Sequence, residues 1–168
     1  MVKKGAALAA AIGLLAGCSA GDGGSGGPSA TAHVGQPAPN WTDPLVSGGT
    51  LSMAQLRGKP VFIDFFATWC PPCNAEAPEV NAAYREYAPR GLQVIGADVQ
   101  ETPQKAKQFV RAHALTYPAV VDSGTLSDEY QINGMPVGVF IDQTGVVRKI
   151  EIGQLSRAQL DADIKAIL

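Results

Sequence analysis

The stretch PVFIDFFATWCPPC, residues 60–73, decides the fold. Val61 to Phe66 are apolar except for Asp64, rich in Phe and β-branched types, and too few for a typical helix. They read as a central strand covered on both faces. Six positions after Asp64 comes Cys70, and a Pro-Pro pair separates it from Cys73. A carboxylate in a core costs several kcal/mol when unpaired, or holds its proton until it is neutral. Asp64 therefore either contradicts the strand or acts on those cysteines.

Cys70-Pro71-Pro72-Cys73 sits where the strand ends and a helix begins. Prolines suit a helix's first turn, where their missing N–H groups have no intrahelical partner. Cys70 then lies at the helix N-terminus, where free N–H groups and the macrodipole stabilise a thiolate. Cys73, one turn deeper, is expected to be less exposed. That asymmetry assigns Cys70 the attack on a disulfide and Cys73 the resolution of the mixed disulfide. Two other readings compete. A structural zinc site needs about four ligands, and beyond this pair the domain offers His113, with His33 outside it. An inert disulfide between these cysteines closes too small a loop to constrain the unfolded chain much. A C-x-x-C after a strand in a βαβ pattern favours redox chemistry over both.

Further strands are expected at 92–98, 119–121, 137–142 and 146–152, the last two joined as a hairpin by the turn Asp142-Gln143-Thr144-Gly145. Val80, Tyr84 and Tyr87 share one helical face after Cys73, as do Ala106, Phe109, Val110 and His113 further on. Ser156 with Gln159 forms a capping box, opening a last helix with Leu160, Ile164, Ile167 and Leu168 on its apolar stripe. Strands alternating with helices, then an antiparallel hairpin, predict an α/β domain with a mixed central sheet flanked by helices.

Residues 1–17 read as a signal peptide: Lys3 and Lys4, a short apolar run, then Leu-Ala-Gly before Cys18. Leu-Ala-Gly-Cys resembles the lipobox of bacterial lipoproteins, which implies that Cys18 carries a lipid anchor and takes no part in redox chemistry. Residues 18–33, rich in Gly and Ser, form the flexible linker behind it, and 34–168 form one domain. Of the three cysteines, Cys70 and Cys73 are then the one redox pair. Without Lys3 and Lys4 the formal net charge is −4 rather than −2. No basic cluster exists, which argues against nucleic acid as a ligand.

FIDFFATWCPPC resembles the active site of the thioredoxin superfamily. WCPPCNAEAP, GQPAPNW, LRGKPVFIDFFATWC and GMPVGVFID resemble motifs of its membrane-anchored extracytoplasmic branch, the TlpA/ResA-like proteins. The resemblance covers essentially all of 34–168. It implies a thioredoxin fold with an N-terminal extension around 41–51 and an extra strand-helix insertion after the active-site helix. By the same resemblance Asp64 matches the buried acid beneath the second cysteine, and Glu76 matches the branch's own carboxylate, expected to tune the site from its rim. Met135-Pro136 matches the cis-proline loop that offers backbone to an extended substrate, although Met135 and Val137-Gly138 depart from the usual residues there. Trp69 is expected to line the site as an apolar wall, and His113 reads as a helix-end residue.

The activity implied is that of an extracytoplasmic thiol-disulfide oxidoreductase, a monomer that needs no bound cofactor or metal. Its partners would be substrate proteins with disulfides, such as apocytochrome c, and a membrane thiol reductase as electron donor. An oxidant or isomerase of secreted proteins is the alternative with the same chemistry. A copper-binding chaperone is the alternative from another class, although such carriers have a wider cysteine spacing and a partner His. No peroxidatic motif of the peroxiredoxin class is found.

Overall fold

The computed structural model describes Met1 and residues 32–168. The expected signal peptide, Cys18 and nearly all of the linker lie outside the described residues. The elements are β1 (Thr42–Pro44), β2 (Thr50–Ser52), α1 (Met53–Leu56), β3 (Val61–Phe66), α2 (Pro71–Tyr87), β4 (Gln93–Val99), α3 (Pro103–Ala112), β5 (Ala119–Asp122), α4 (Thr125–Glu129), β6 (Val137–Ile141), β7 (Val147–Ile152) and α5 (Arg157–Ile167).

Five strands form one mixed sheet in the order β5-β4-β3-β6-β7. β3, β4 and β5 run parallel, while β6 pairs antiparallel with both β3 and β7. This is the thioredoxin fold, with the acid-bearing strand at its centre. The expected strand-helix insertion appears as β5 followed by α4, and β5 supplies one edge of the sheet. The expected N-terminal extension is the β1–β2 hairpin. The chain around it runs along both outer strands: Val46 N–H donates to Ala119 O at 2.8 Å, and Val147 N–H donates to Gln36 O at 2.9 Å. Ala32 is already buried in the core and donates to Glu129 O, two residues before the expected start of the domain.

Side chains on a strand alternate between faces. Val61, Ile63 and Phe65 join Trp41, Met53, Leu56 and Leu126 on one side. Phe62 joins Val80 and Tyr87 of α2 and Leu160 and Ile164 of α5 on the other. Phe66 packs with Cys70, Cys73 and Ala77. Asp64, between Phe62 and Phe66, therefore lies on the face that α2 covers.

The register gives Asp64 two glycine neighbours, Gly96 on β4 and Gly138 on β6. A β-carbon at Gly138 would meet Phe62 Cε2 at 2.9 Å and Leu155 Cδ1 at 3.1 Å. Phe62 cannot swing aside, because its ring stacks on Phe140 with centroids 4.5 Å apart. Gly138→Ala is therefore expected to destabilise the domain by about 1–3 kcal/mol, the usual range for overpacking, read as a lower urea midpoint at unchanged slope.

Candidate active site

Pro71 and Pro72 open α2 and Cys70 is its N-cap. Cys70 and Cys73 are joined by a disulfide, with an S–S distance of 2.01 Å. The Cys70 sulfur also accepts from the Cys73 backbone N–H at 3.2 Å, as expected of a sulfur at a helix start. The expected difference in exposure is not found: Cys70 is 2% exposed and Cys73 3%. Bonded to Cys73, Cys70 sits in a cluster with Phe66, Ala67, Ala77 and Phe109, against which Met135 packs. The distinction between the two cysteines rests on the helix N-terminus and not on solvent access.

Glu76 departs further from expectation. It lies one turn after Cys73 on the same face of α2, 2% exposed, and so belongs to the floor of the site and not to its rim. Its Oε2 accepts from the Leu155 backbone N–H at 3.1 Å. Asp64 is buried too, and its Oδ2 accepts from the Tyr117 hydroxyl at 3.4 Å. Burial pushes the Asp64 carboxyl up to about 7, against the pull of the Tyr117 hydrogen bond. Burial and then the Asp64 charge push Glu76 up to about 8, against the Leu155 N–H. Two neighbouring carboxyls, with no ion-pair partner among the described residues, thus share the floor between α2 and the sheet, and near neutral pH they resist being charged together.

The approach to the cysteines is fixed by residues beyond those the sequence marks for chemistry. Glu101 accepts from the Thr68 backbone N–H at 2.6 Å and from its hydroxyl at 2.8 Å, pinning the loop two residues before Cys70. Burial opposes its charge, yet these bonds and Lys105 hold its carboxyl below the ordinary value. Asn74 donates through Nδ2 to Cys70 O and Thr68 O, which leaves its Oδ1 to accept from His113 Nε2 at 2.8 Å. His113, the C-cap of α3, is thereby tied to the active-site helix. Burial lowers its pKa. A signal for Asn74 was available in its place just after Cys73; Glu101, 33 residues from Thr68, had none.

Met135-Pro136 is a cis peptide bond, as the resemblance implied. Met135 is half-buried against the cysteine cluster, and Pro136 is buried. Trp69 is 65% exposed, so its ring stands in solvent and is not part of the core. Among the described residues no group of three or more His, Cys, Asp or Glu side chains is arranged to hold a metal ion.

A thioredoxin fold whose Cys-Pro-Pro-Cys disulfide opens the helix after the central strand defines a thiol-disulfide oxidoreductase. The AhpC/TSA family model matches residues 34–150, and the chain belongs to that family. It is 33% identical over 136 residues to a thiol-disulfide oxidoreductase ResA of Bacillus cereus, covering 80% of this chain and 79% of that protein. Among solved structures it resembles a thiol:disulfide interchange protein of the thioredoxin family from Chlorobium tepidum TLS. The TM-score is 0.74 at 30% identity, over 82% of this chain and 99% of that one. It also resembles a secreted Mycobacterium tuberculosis disulfide oxidoreductase homologous to E. coli DsbE, with a TM-score of 0.69 at 25% identity, over 75% of this chain and 95% of that one.

Proposed function

We propose that the chain is an extracytoplasmic reductant of disulfides in substrate proteins, apocytochrome c among them, tethered to a membrane through a lipid on Cys18. A membrane thiol reductase returns its electrons, and the Cys70–Cys73 pair serves in place of a cofactor. In the forward reaction the Cys70 thiolate attacks a substrate disulfide, one substrate sulfur leaves, and the other stays bonded to Cys70. Asp64 takes the Cys73 proton, Cys73 attacks the Cys70 sulfur, and the substrate leaves as a thiolate. The substrate gains two electrons and the protein ends as the disulfide, with Asp64 neutral.

The observation that carries the direction is the acidic floor. Asp64, beneath α2, and Glu76, on its inner face, are buried, and among the described residues neither makes an ion pair. Negative charge beside a dithiol disfavours the thiolate, leaves the reduced form less stable and so lowers the potential. The ResA name of the Bacillus relatives supports the same class of work. The helix N-terminus at Cys70 pulls the other way, towards an oxidant.

Equilibration with glutathione or dithiothreitol buffers decides between them. A potential near or below about −250 mV, in the range of thioredoxin, is expected. A value near about −120 mV would reassign the protein to the oxidation of secreted substrates.

A further inference from the structure

Asp64 has one recorded hydrogen-bond donor among the described residues, and it comes from outside the cysteine motif. Tyr117 precedes Pro118 and β5, 53 residues from Asp64. It is buried, with its ring edge-on to Tyr84 at 5.9 Å. It reaches Asp64 because β4 places Gly96 opposite that acid. A β-carbon at Gly96 would stand 3.2 Å from Tyr117 Cε2 and 2.9 Å from Phe66 Cε1. The space left by the missing side chain is therefore shared by the Phe66 ring and the phenol ring of Tyr117.

We infer that Tyr117 is a positioning residue for the proton transfer at Cys73: its hydroxyl, admitted by the Gly96 gap, holds the Asp64 carboxylate and sets the pH at which that group takes the proton. The inference rests on the reading of Asp64 as the base. The groups around Asp64 are few. α2 presents Glu76, β4 and β6 present glycines, and Tyr117 completes the set. A phenol hydroxyl donates to a carboxylate more strongly than to a neutral acid, so it favours the charged base. Burial, with the Asp64 and Glu76 charges, keeps the Tyr117 proton in place well above its ordinary range, so the phenol remains a donor throughout the working pH.

Tyr117→Phe keeps the ring in its slot and removes the donor alone. In the reaction of the reduced protein with 5,5′-dithiobis(2-nitrobenzoate), the first thionitrobenzoate released reports attack by Cys70 and the second reports resolution by Cys73. The midpoint of the second phase is expected to move about half a pH unit to one pH unit alkaline in Tyr117→Phe, with the first phase unchanged. Placing 3,5-difluorotyrosine at position 117, a stronger donor of nearly the same shape, is expected to move it acid. Carbon-13 resonances of labelled aspartate in the oxidised protein should report the same two displacements without turnover. An unmoved second phase and an unmoved Asp64 resonance in both variants would reduce Tyr117 to packing and overturn the inference. If Asp64→Asn itself leaves the second phase unchanged from pH 6 to pH 9, about the range in which such groups titrate, the base reading fails first and takes the inference with it.

Discussion

Cys73→Ser is expected to attack substrate disulfides and then stall, with one substrate molecule covalently held per protein and turnover reduced at least about a thousandfold. The geometry separates the two steps. The Cys73 backbone N–H that donates to the Cys70 sulfur belongs to the main chain and survives the substitution, as does the start of α2. Attack by Cys70 is therefore preserved, while the sulfur that displaces the substrate is gone. Non-reducing electrophoresis or intact-protein mass spectrometry after mixing with a disulfide substrate reads the trapped species, which dithiothreitol should release. The counterpart Cys70→Ser should trap nothing. Accumulation in that variant instead would invert the roles of the two cysteines.

Asp64→Asn is expected to make the protein more stable in mild alkali and a poorer catalyst. In the fold the Asp64 carboxyl titrates at about 7, against its ordinary 3.8. Between those values the folded chain keeps a proton that the unfolded chain has lost, so stability falls as pH rises through the window and the loss is complete above about 7. The size is on the order of 4 kcal/mol for an isolated group moved that far. Glu76 and the fully buried Asp98, each pushed up to about 8 chiefly by burial, add loss of the same sign over a slightly longer range. The wild-type urea midpoint should thus be higher at pH 5 than at pH 8. Asparagine removes the Asp64 share and also relieves Glu76, giving a gain of about 2–4 kcal/mol at pH 8 and a smaller one, about 1–1.5 kcal/mol, at pH 5. Resolution near neutral pH should slow by about a hundredfold, the scale of a lost general base. A wild-type midpoint that rises from pH 5 to pH 8 would mean that these carboxyls are not held neutral in the fold.

The central strand, the cysteine pair and the cap of the last helix were legible because each is a local matter. Five apolar residues around one acid, two prolines in a first turn and a serine three residues before a glutamine act through neighbours in the chain, and the Ser156–Gln159 box is present in the fold. The hairpin was legible for the same reason: Asp142 Oδ1 accepts from the Thr144 and Val146 N–H groups inside the turn itself. No residue pattern marked α4, because it is only five residues long and its start is organised by the Asp122 carboxylate, which accepts from three backbone N–H groups. The depth of Glu76 was misjudged because a charge in a helix's early turns looks like a surface residue until α5 and the segment before it are laid over that face. The site's remaining parts, Glu101 on Thr68 and Tyr117 on Asp64, depend on register between distant strands, which no local pattern encodes.

The run of chain from Gly35 to Val46 also bears on how this protein meets others. It hydrogen-bonds one end of each outer strand, Ala119 on β5 and Val147 on β7. An open sheet edge is a template on which any extended polypeptide, including a second copy, can add itself as a further strand. For a thiol-disulfide oxidoreductase, whose substrates are disulfide-containing chains, such templating would compete with release of the substrate. With one end of each margin occupied by its own chain, the sheet leaves a partner less unpaired edge on which to add a strand.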